Sequence, residues 1–253
     1  MSASVMSAEI SVLVLIAMEA EASPLLAALE LPETALDHPW APCKAYSGVF
    51  KGMKVSVVTN GKWTSANAGE DPVDNVGTTP AAIAAFVAIS QFQPTLIINA
   101  GTAGGFKAKG ASIGDTFVST VMRHHDRRIT IPGWDNYAKG HHVSHPVDNL
   151  REALGFKAGV VTTGNSLDAT DRDMEIMASN DASVKDMEAA SIAWVAEHAK
   201  VPFFALKCVT DIVDGEHPTH EEFVANLSTA AASLQKSLSL TMEYLIGKSP
   251  ERL

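Results

Sequence analysis

Cysteine is scarce in this chain of 253 residues, which contains only Cys43 and Cys208. Two thiols so far apart in sequence cannot form the dense disulfide framework that stabilises many small secreted domains. We therefore expect both cysteines to be reduced and the protein to be cytoplasmic. Residues 1–9 also lack the basic region of a signal peptide, so we do not expect export.

Arginine and long apolar runs are also scarce. The chain has six arginines and a formal net charge of −10. Such an acidic chain repels the phosphates of nucleic acids and anionic lipid surfaces, so we expect neither nucleic acid nor membrane as a partner. No apolar run reaches the roughly 18 residues of a membrane-spanning helix. These absences leave a small neutral or cationic molecule as the expected ligand.

The chain shows no linker, no low-complexity segment and no internal repeat. Apolar residues make up 46% of the sequence, which is enough for a sizeable core. We therefore expect a short tail of residues 1–9 followed by one domain over residues 10–248.

Strand-like and helix-like patterns alternate along this domain. The predicted strands cover residues 10–17, 45–50, 53–59, 95–100, 115–122, 157–163, 182–187 and 203–209. The predicted helices cover residues 21–31, 78–91, 170–178, 189–200 and 219–246. This alternation predicts an α/β fold with a mixed sheet flanked by helices. Residues 61–77 and 123–149 fit no regular pattern, and we interpret them as candidate lids or subunit contacts.

Acidic residues follow three of the predicted strands. Glu19 and Glu21 follow the first strand, Glu188 follows the seventh and Asp211 follows the eighth. In open α/β sheets, ligands bind outside the carboxyl ends of the strands, so these acids are candidates for proton transfer. Acids in a first helical turn also complement the helix dipole, which is the structural alternative for Glu19 and Glu21.

A glycine-rich segment, residues 99–106, follows the fourth predicted strand. We expect a loop whose backbone amides approach a ligand closely, with the Thr102 hydroxyl available to a sugar or an anion. The segment lacks the G-x-G-x-x-G spacing of dinucleotide-binding folds and the G-K-[ST] of a phosphate-binding P-loop. A tight connection without a ligand is the alternative.

Histidine offers one candidate metal cluster, formed by His124, His125 and Asp126. Adjacent side chains on a strand point to opposite faces and do not easily bind one ion, so we expect no metal. Several other histidines are interpreted as solvated loop residues: His141, His142, His145, His217 and His220.

Four segments together resemble the nucleoside phosphorylase superfamily and, within it, the 5′-methylthioadenosine nucleosidases of the plant type. They are Ala-Met-Glu-Ala-Glu at residues 17–21, Asn-Ala-Gly-Thr-Ala-Gly-Gly at 99–105, Asp-Met-Glu-Ala-Ala at 186–190, and Thr210-Asp211. The resemblance implies a nucleoside phosphorylase-like catalytic domain without a cofactor, active as a homodimer in methionine salvage. It implies hydrolysis of the N-glycosidic bond of 5′-methylthioadenosine, with S-adenosylhomocysteine as a further candidate substrate.

The resemblance also implies roles for individual residues. Asp211 would protonate N7 of adenine, Glu21 would act as the base on the attacking water, and Glu188 would hold the ribose hydroxyls. An acid on the leaving group and a base on the opposite face suit an oxocarbenium-like transition state. The expected substrate-binding residues are Met18, Thr102, Ala103, Gly104, Leu167, Met187 and Thr210.

Two other functions remain open at this point. A purine nucleoside phosphorylase needs a phosphate clamp, for which arginine is favoured, whereas the first strand-to-helix turn here offers glutamates. Only the cluster of Arg123, Arg127 and Arg128 could supply such a clamp, from a neighbouring subunit. A non-catalytic storage or binding protein on the same fold is the second alternative. Asn165 stands where relatives commonly carry aspartate, which leaves the substrate range open.

Overall fold

The computed structural model describes residues 10–64 and 72–253. The expected tail of residues 1–9 and the middle of the 61–77 segment lie outside these ranges. The described elements, in chain order, are β1 (Ser11–Ile16), α1 (Glu19–Leu29), β2 (Glu33–Thr34), β3 (Lys44–Phe50), β4 (Met53–Thr59), β5 (Lys62–Trp63), β6 (Val73–Asp74), α2 (Thr78–Phe92), β7 (Leu96–Gly105), β8 (Thr116–His124), α3 (Asp135–Lys139), β9 (His142–Val143), α4 (Asp148–Leu154), β10 (Lys157–Thr163), α5 (Asp171–Ser179), β11 (Ala182–Asp186), α6 (Ala189–Ala199), β12 (Phe203–Ile212) and α7 (Thr219–Leu245).

Ten of the described strands form one mixed sheet, and β5 and β6 form a separate small sheet. The strand order is β11-β10-β8-β12-β7-β1-β4-β3-β2, with β9 paired to β8. The pairs β1–β4, β1–β7, β7–β12, β8–β10 and β10–β11 are parallel, whereas β8–β12 and β3–β4 are antiparallel. The predicted α/β class with a mixed sheet is confirmed.

The sheet closes on itself at one end. Strand β11 pairs antiparallel with β7 as well as parallel with β10, so β7, β12, β8, β10 and β11 form a ring. The contact is made by Gly104 opposite Lys185 and Gly105 opposite Val184. A Cβ on Gly105 would lie 2.7 Å from the Cβ of Ala111. Gly105 therefore leaves space for Ala111, which a larger residue at this point of the ring would obstruct.

Helices cover both faces of the sheet, and the core lies between them and the strands. Successive strand residues point to opposite faces. In β1, Val12, Val14 and Ile16 belong to a core cluster that also contains residues of α1, α4 and α7, whereas Leu13 and Leu15 belong to one that contains residues of α2 and α6. A strand buried on both faces needs an uninterrupted apolar sequence, which explains the composition of β1. Within residues 10–64 and 72–253, no helix combines the length and the apolar character needed to cross a membrane.

Several predicted boundaries are wrong. Strand β7 continues through Gly105, where the sequence predicted a loop after residue 100, because β12 and β11 pair with its glycines. Strand β12 continues to Ile212 rather than ending at residue 209, with an irregularity between Val209 and Asp211. Helix α1 begins at Glu19, not at residue 21. The segment 123–149 is not wholly irregular, because it contains α3 and β9.

The interpretation of the histidines also needs correction. His142 is buried, with its Nδ1 2.7 Å from Oε2 of Glu197, and the Nε2 of His145 lies 2.7 Å from the carbonyl oxygen of Pro250. Both rings have protein partners that sequence patterns do not reveal. The predicted exposure is observed at His141, His217 and His220.

Candidate active site

A cavity of about 290 Å³ opens where β1, β7, β11 and β12 end. The ten residues predicted from the sequence as catalytic or substrate-binding all line it: Met18, Glu21, Thr102, Ala103, Gly104, Leu167, Met187, Glu188, Thr210 and Asp211. The structure therefore brings together residues that are almost 200 positions apart in sequence. The parallel strands β1, β7 and β12 carry most of them to one edge of the sheet, and β11, which pairs antiparallel with β7, brings Met187 and Glu188 to the same cavity.

Glu21 lies in the first turn of α1 and is buried. Its Oε1 accepts hydrogen bonds from the backbone N–H and the hydroxyl of Thr102, both at 2.7 Å. Burial raises the pKa of Glu21, and the two Thr102 bonds and the charge of Lys207 oppose this rise. One carboxylate oxygen is thus fixed, and the group remains a stronger proton acceptor than an ordinary glutamate.

Glu19, two residues earlier, has a different environment. Its carboxylate oxygens lie 2.8 Å from Nζ of Lys44 and 3.3 Å from Nζ of Lys62. The hydrogen bond with Lys44 is the main reason that the pKa of Glu19 is lowered. Glu19 is therefore a salt-bridged residue near the surface, whereas Glu21 is the acid of this turn that faces the cavity.

Glu188 precedes α6 and is buried at the cavity wall. Its Oε1 accepts a hydrogen bond of 2.9 Å from the backbone N–H of Gly77. Burial raises the pKa of Glu188 to about 7; the charge of Lys207 acts against this rise, and that of Asp186 adds to it. Glu188 therefore changes its protonation state near neutral pH.

A buried ion pair that was not predicted from the sequence lies beside these acids. Nζ of Lys207 is 2.9 Å from Oδ2 of Asp186. Burial alone would raise the pKa of Asp186 and lower that of Lys207, but their mutual attraction lowers the first and raises the second. Asp186 also accepts hydrogen bonds from Thr163 Oγ1 at 2.5 Å and Ala189 N at 2.7 Å. The available signal was a lysine inside the apolar run of residues 203–209.

Asp211 lies near the end of β12 and is 2% exposed. Its Oδ1 accepts a hydrogen bond of 2.6 Å from the Thr210 hydroxyl. Burial raises the pKa of Asp211, and the Thr210 bond and the charge of Lys185 oppose the rise. A Cβ on Gly104 would lie only 2.7 Å from Oδ2 of Asp211, so the glycine leaves space for the carboxyl group at the cavity.

Further residues of the cavity wall were not predicted from the sequence. Val76, Lys185, Thr219 and Phe223 all line it. Val76 lies in the segment 61–77, for which the sequence predicted no strand, and Phe223 lies in α7, so reasoning from the predicted strand ends does not find them. Lys185 was detectable as a charged residue in the predicted strand of residues 182–187.

Asn165 joins three segments next to the cavity. Its Oδ1 accepts hydrogen bonds from the backbone N–H and the hydroxyl of Thr78, both at 2.9 Å. Its Nδ2 donates to Oδ2 of Asp126 at 3.1 Å. An ionised aspartate here could accept but not donate, and it would face Asp126 with a like charge. The asparagine therefore suits this network.

The chain is similar to known proteins. The profile of the phosphorylase superfamily matches residues 11–242. A 5′-methylthioadenosine/S-adenosylhomocysteine nucleosidase of Arabidopsis thaliana is 41% identical over 94% of this chain and 92% of its own length. A 5′-methylthioadenosine nucleosidase of the same organism is 43% identical over 94% of this chain and 88% of its own length.

A solved structure extends the comparison to the fold. The apo form of Arabidopsis thaliana 5′-methylthioadenosine nucleosidase gives a TM-score of 0.90 at 41% identity, over 97% of this chain and 100% of that chain. The residues matched by the superfamily profile, 11–242, include every residue that lines the cavity. The chain therefore belongs to the phosphorylase superfamily and, within it, to the family of plant-type 5′-methylthioadenosine nucleosidases.

Proposed function

We propose that this protein hydrolyses the N-glycosidic bond of 5′-methylthioadenosine to adenine and 5-methylthioribose. The observation that carries the proposal is the placement of three buried carboxyl groups, those of Glu21, Glu188 and Asp211, around one cavity. Two relatives named for this activity are 41% and 43% identical to the chain, which supports the substrate class. A storage protein would gain nothing from burying three acids together, because each burial costs free energy.

Asp211 is the proposed general acid. Adenine is a poor leaving group as an anion, so a proton must reach its N7 as the C1′–N9 bond breaks. The raised pKa of Asp211 keeps its carboxyl group protonated to a higher pH than that of an ordinary aspartate. Such proton transfer contributes roughly 10²- to 10⁴-fold in rate.

Glu21 is the proposed base. Thr102 holds one of its oxygens, which orients the carboxylate toward the cavity. The attacking water gives its proton to Glu21 and its oxygen to C1′ of the ribose. Glu188 is held by Gly77 and is proposed to accept hydrogen bonds from the ribose hydroxyls. Met18, Ala103, Gly104, Leu167, Met187 and Thr210 are proposed to shape the substrate pocket.

The charges at the cavity favour water over phosphate as the attacking group. Within residues 10–64 and 72–253, which include all six arginines, no arginine lines the cavity. Arg127 donates to the carbonyl oxygen of Tyr137, and Arg128 pairs with Asp173 at 2.8 Å, so both are engaged elsewhere. The carboxylates at the cavity would repel phosphate. We therefore place a hydrolase ahead of a purine nucleoside phosphorylase.

We also propose a homodimer acting in the cytoplasm in methionine salvage. Ile131, Trp134 and Tyr137 of the segment 123–149 are each at least half exposed. Such apolar exposure favours contact with a second copy, where the segment would cover the methylthio group in the neighbouring cavity. Light scattering at micromolar concentration should give the dimer mass. A fully active monomer would contradict the shared cavity.

The substrate assignment is tested by adenine release. The purified protein is incubated separately with 5′-methylthioadenosine and with S-adenosylhomocysteine, and adenine is quantified by chromatography. We expect faster release from 5′-methylthioadenosine, because burying the amino-acid tail of the second nucleoside unpaired in an apolar site is costly. Absence of adenine from both reactions would refute the proposed function.

A further inference from the structure

Lys185, Gly104 and Asp211 form a row across three adjacent strands. Gly104 of β7 pairs with Lys185 of β11 on one side and with Asp211 of β12 on the other. Residues paired across strands place their side chains on the same face of a sheet. All three line the cavity, and Gly104 has no side chain to separate its neighbours. With neighbouring strands about 5 Å apart, about 10 Å separates the backbones of Lys185 and Asp211.

The ammonium group of Lys185 is fixed inside the cavity wall. The residue is 6% exposed, and its Nζ donates hydrogen bonds to the carbonyl oxygens of Ser166 at 2.8 Å and Leu167 at 2.7 Å. Leu167 also lines the cavity. Lys185 therefore holds the Ser166–Leu167 turn in place. Burial lowers the pKa of Lys185, and the charges of Asp211 and Asp186 oppose this fall and favour the ammonium form.

We propose that Lys185 is a positioning residue whose ammonium group stabilises the carboxylate that Asp211 becomes after it has given its proton to the leaving base. This inference rests on the proposed role of Asp211 as the general acid. A newly formed carboxylate in a buried site is unfavourable unless an opposite charge lies nearby. The fixed charge of Lys185 supplies that stabilisation without any movement during the reaction.

Other charged groups face the same region. Glu222 of α7, whose carboxylate accepts the N–H of Ile212 at 2.7 Å, raises the pKa of Asp211 and so opposes Lys185. Lys185 itself faces Asp211, with Asp186 on its own strand and also Asp168 and Asp173 from the α5 side. His125, near the end of β8, faces Lys185 as well. The effect is therefore isolated by changing Lys185 alone.

The test is the pH dependence of kcat/KM for 5′-methylthioadenosine in a set of lysine variants. We expect activity to fall at alkaline pH as Asp211 loses its proton. In Lys185→Met, the missing positive charge makes the Asp211 carboxylate less favourable and so raises the pKa of Asp211. The alkaline limb of the profile, where kcat/KM falls, should therefore move up by about one pH unit. The weaker acid should also lower kcat by about tenfold. Lys185→Arg, which keeps the charge, should retain the wild-type limb.

Two further variants complete the design. Lys157→Met removes a lysine that also binds a carbonyl oxygen, that of Gly110, but does not line the cavity, so it should leave the limb unchanged. Lys185→Gln keeps a donor for the two carbonyls without the charge, and it should move the limb as Lys185→Met does. If Lys185→Met fails to fold, the pH profile of Lys185→Gln serves as the test of the missing charge.

The role of Lys185 would be refuted if the alkaline limb of kcat/KM were not shifted in a folded variant without the charge. It would also be refuted if Lys185→Arg shifted the limb as much as the uncharged variant does. Neither result would affect the role of Asp211, which is tested separately by Asp211→Asn. Full activity of Asp211→Asn would instead refute the acid assignment itself.

Discussion

Nζ of Lys207 and Oδ2 of Asp186 lie 2.9 Å apart, and their side chains are 1% and 0% exposed. The pair connects β12 to the turn between β11 and α6, where Asp186 also accepts the N–H of Ala189. Glu188 lies within this turn. The buried pair therefore fixes the segment that presents Glu188 to the cavity.

Lys207→Met should lower the free energy of unfolding by about 3 to 5 kcal/mol, because Asp186 would remain buried without its partner. Urea unfolding followed by circular dichroism measures the loss. Lys51→Met breaks an exposed pair with Glu243 and should cost less than about 1 kcal/mol. Similar losses in the two variants would show that the buried pair has no special structural role.

Glu21→Gln should abolish turnover while substrate binding persists, because the amide keeps the shape of the side chain but cannot accept a proton from water. Glu19→Gln should change kcat by less than about threefold, since Glu19 pairs with Lys44 and Lys62 outside the cavity. Steady-state kinetics and calorimetric binding of a non-hydrolysable analogue distinguish the two. The opposite ranking would assign the base to Glu19.

Asp211→Asn should reduce kcat by at least about 100-fold with the fold intact, because the nearly isosteric amide cannot donate the proton that adenine requires. Adenine release and thermal unfolding are measured on the same samples. Asp37→Asn, an exposed aspartate, is the matched control and should behave as wild type. Turnover of Asp211→Asn within tenfold of wild type would remove Asp211 from the acid role.

The stability of the protein should depend on the protonation of Glu188. Its pKa is raised from the ordinary glutamate range to about 7, so the unfolded chain releases this proton at a lower pH than the folded protein. The contribution of Glu188 to stability is therefore fully present below about pH 4.5 and is lost as pH rises toward 7.

Glu188→Gln cannot titrate, so the stability difference between wild type and variant should change by up to about 3 kcal/mol over this interval, in favour of the variant at pH 7 and above. Chemical unfolding at several pH values measures the difference. A pH-independent difference would mean that burial does not perturb Glu188.

Much of the architecture could be predicted because its signals are local. The apolar run before Glu19 predicts a buried strand, and alternation of strands with helices predicts the α/β class. The rule that ligands bind where strands end indicated Glu19, Glu21, Glu188 and Asp211, and the resemblance to the nucleosidases selected Glu21 over Glu19. The closure of the ring between β7 and β11 has no local signal, because it depends on a pairing across 80 residues.

The glycine-rich segment and the lysines show why local reasoning fails. Residues 101–105 were expected to form a loop, yet all five pair with β12, and Gly104 and Gly105 also pair with β11, because the pairing of strands overrides the low strand propensity of glycine. Lys207 and Lys185 interrupt apolar strands, and their partners become evident only when the strands are assembled. A buried charge in a central strand is therefore a signal for an unseen partner.

The most direct test of the proposed function is the identity of the sugar product. Purified protein is incubated with 5′-methylthioadenosine in phosphate-free buffer and, in parallel, in millimolar phosphate, and the products are identified by mass spectrometry. Hydrolysis predicts equal amounts of adenine and 5-methylthioribose, at the same rate in both buffers. Phosphate-dependent cleavage that yields a sugar 1-phosphate, or no cleavage in either buffer, would contradict the account.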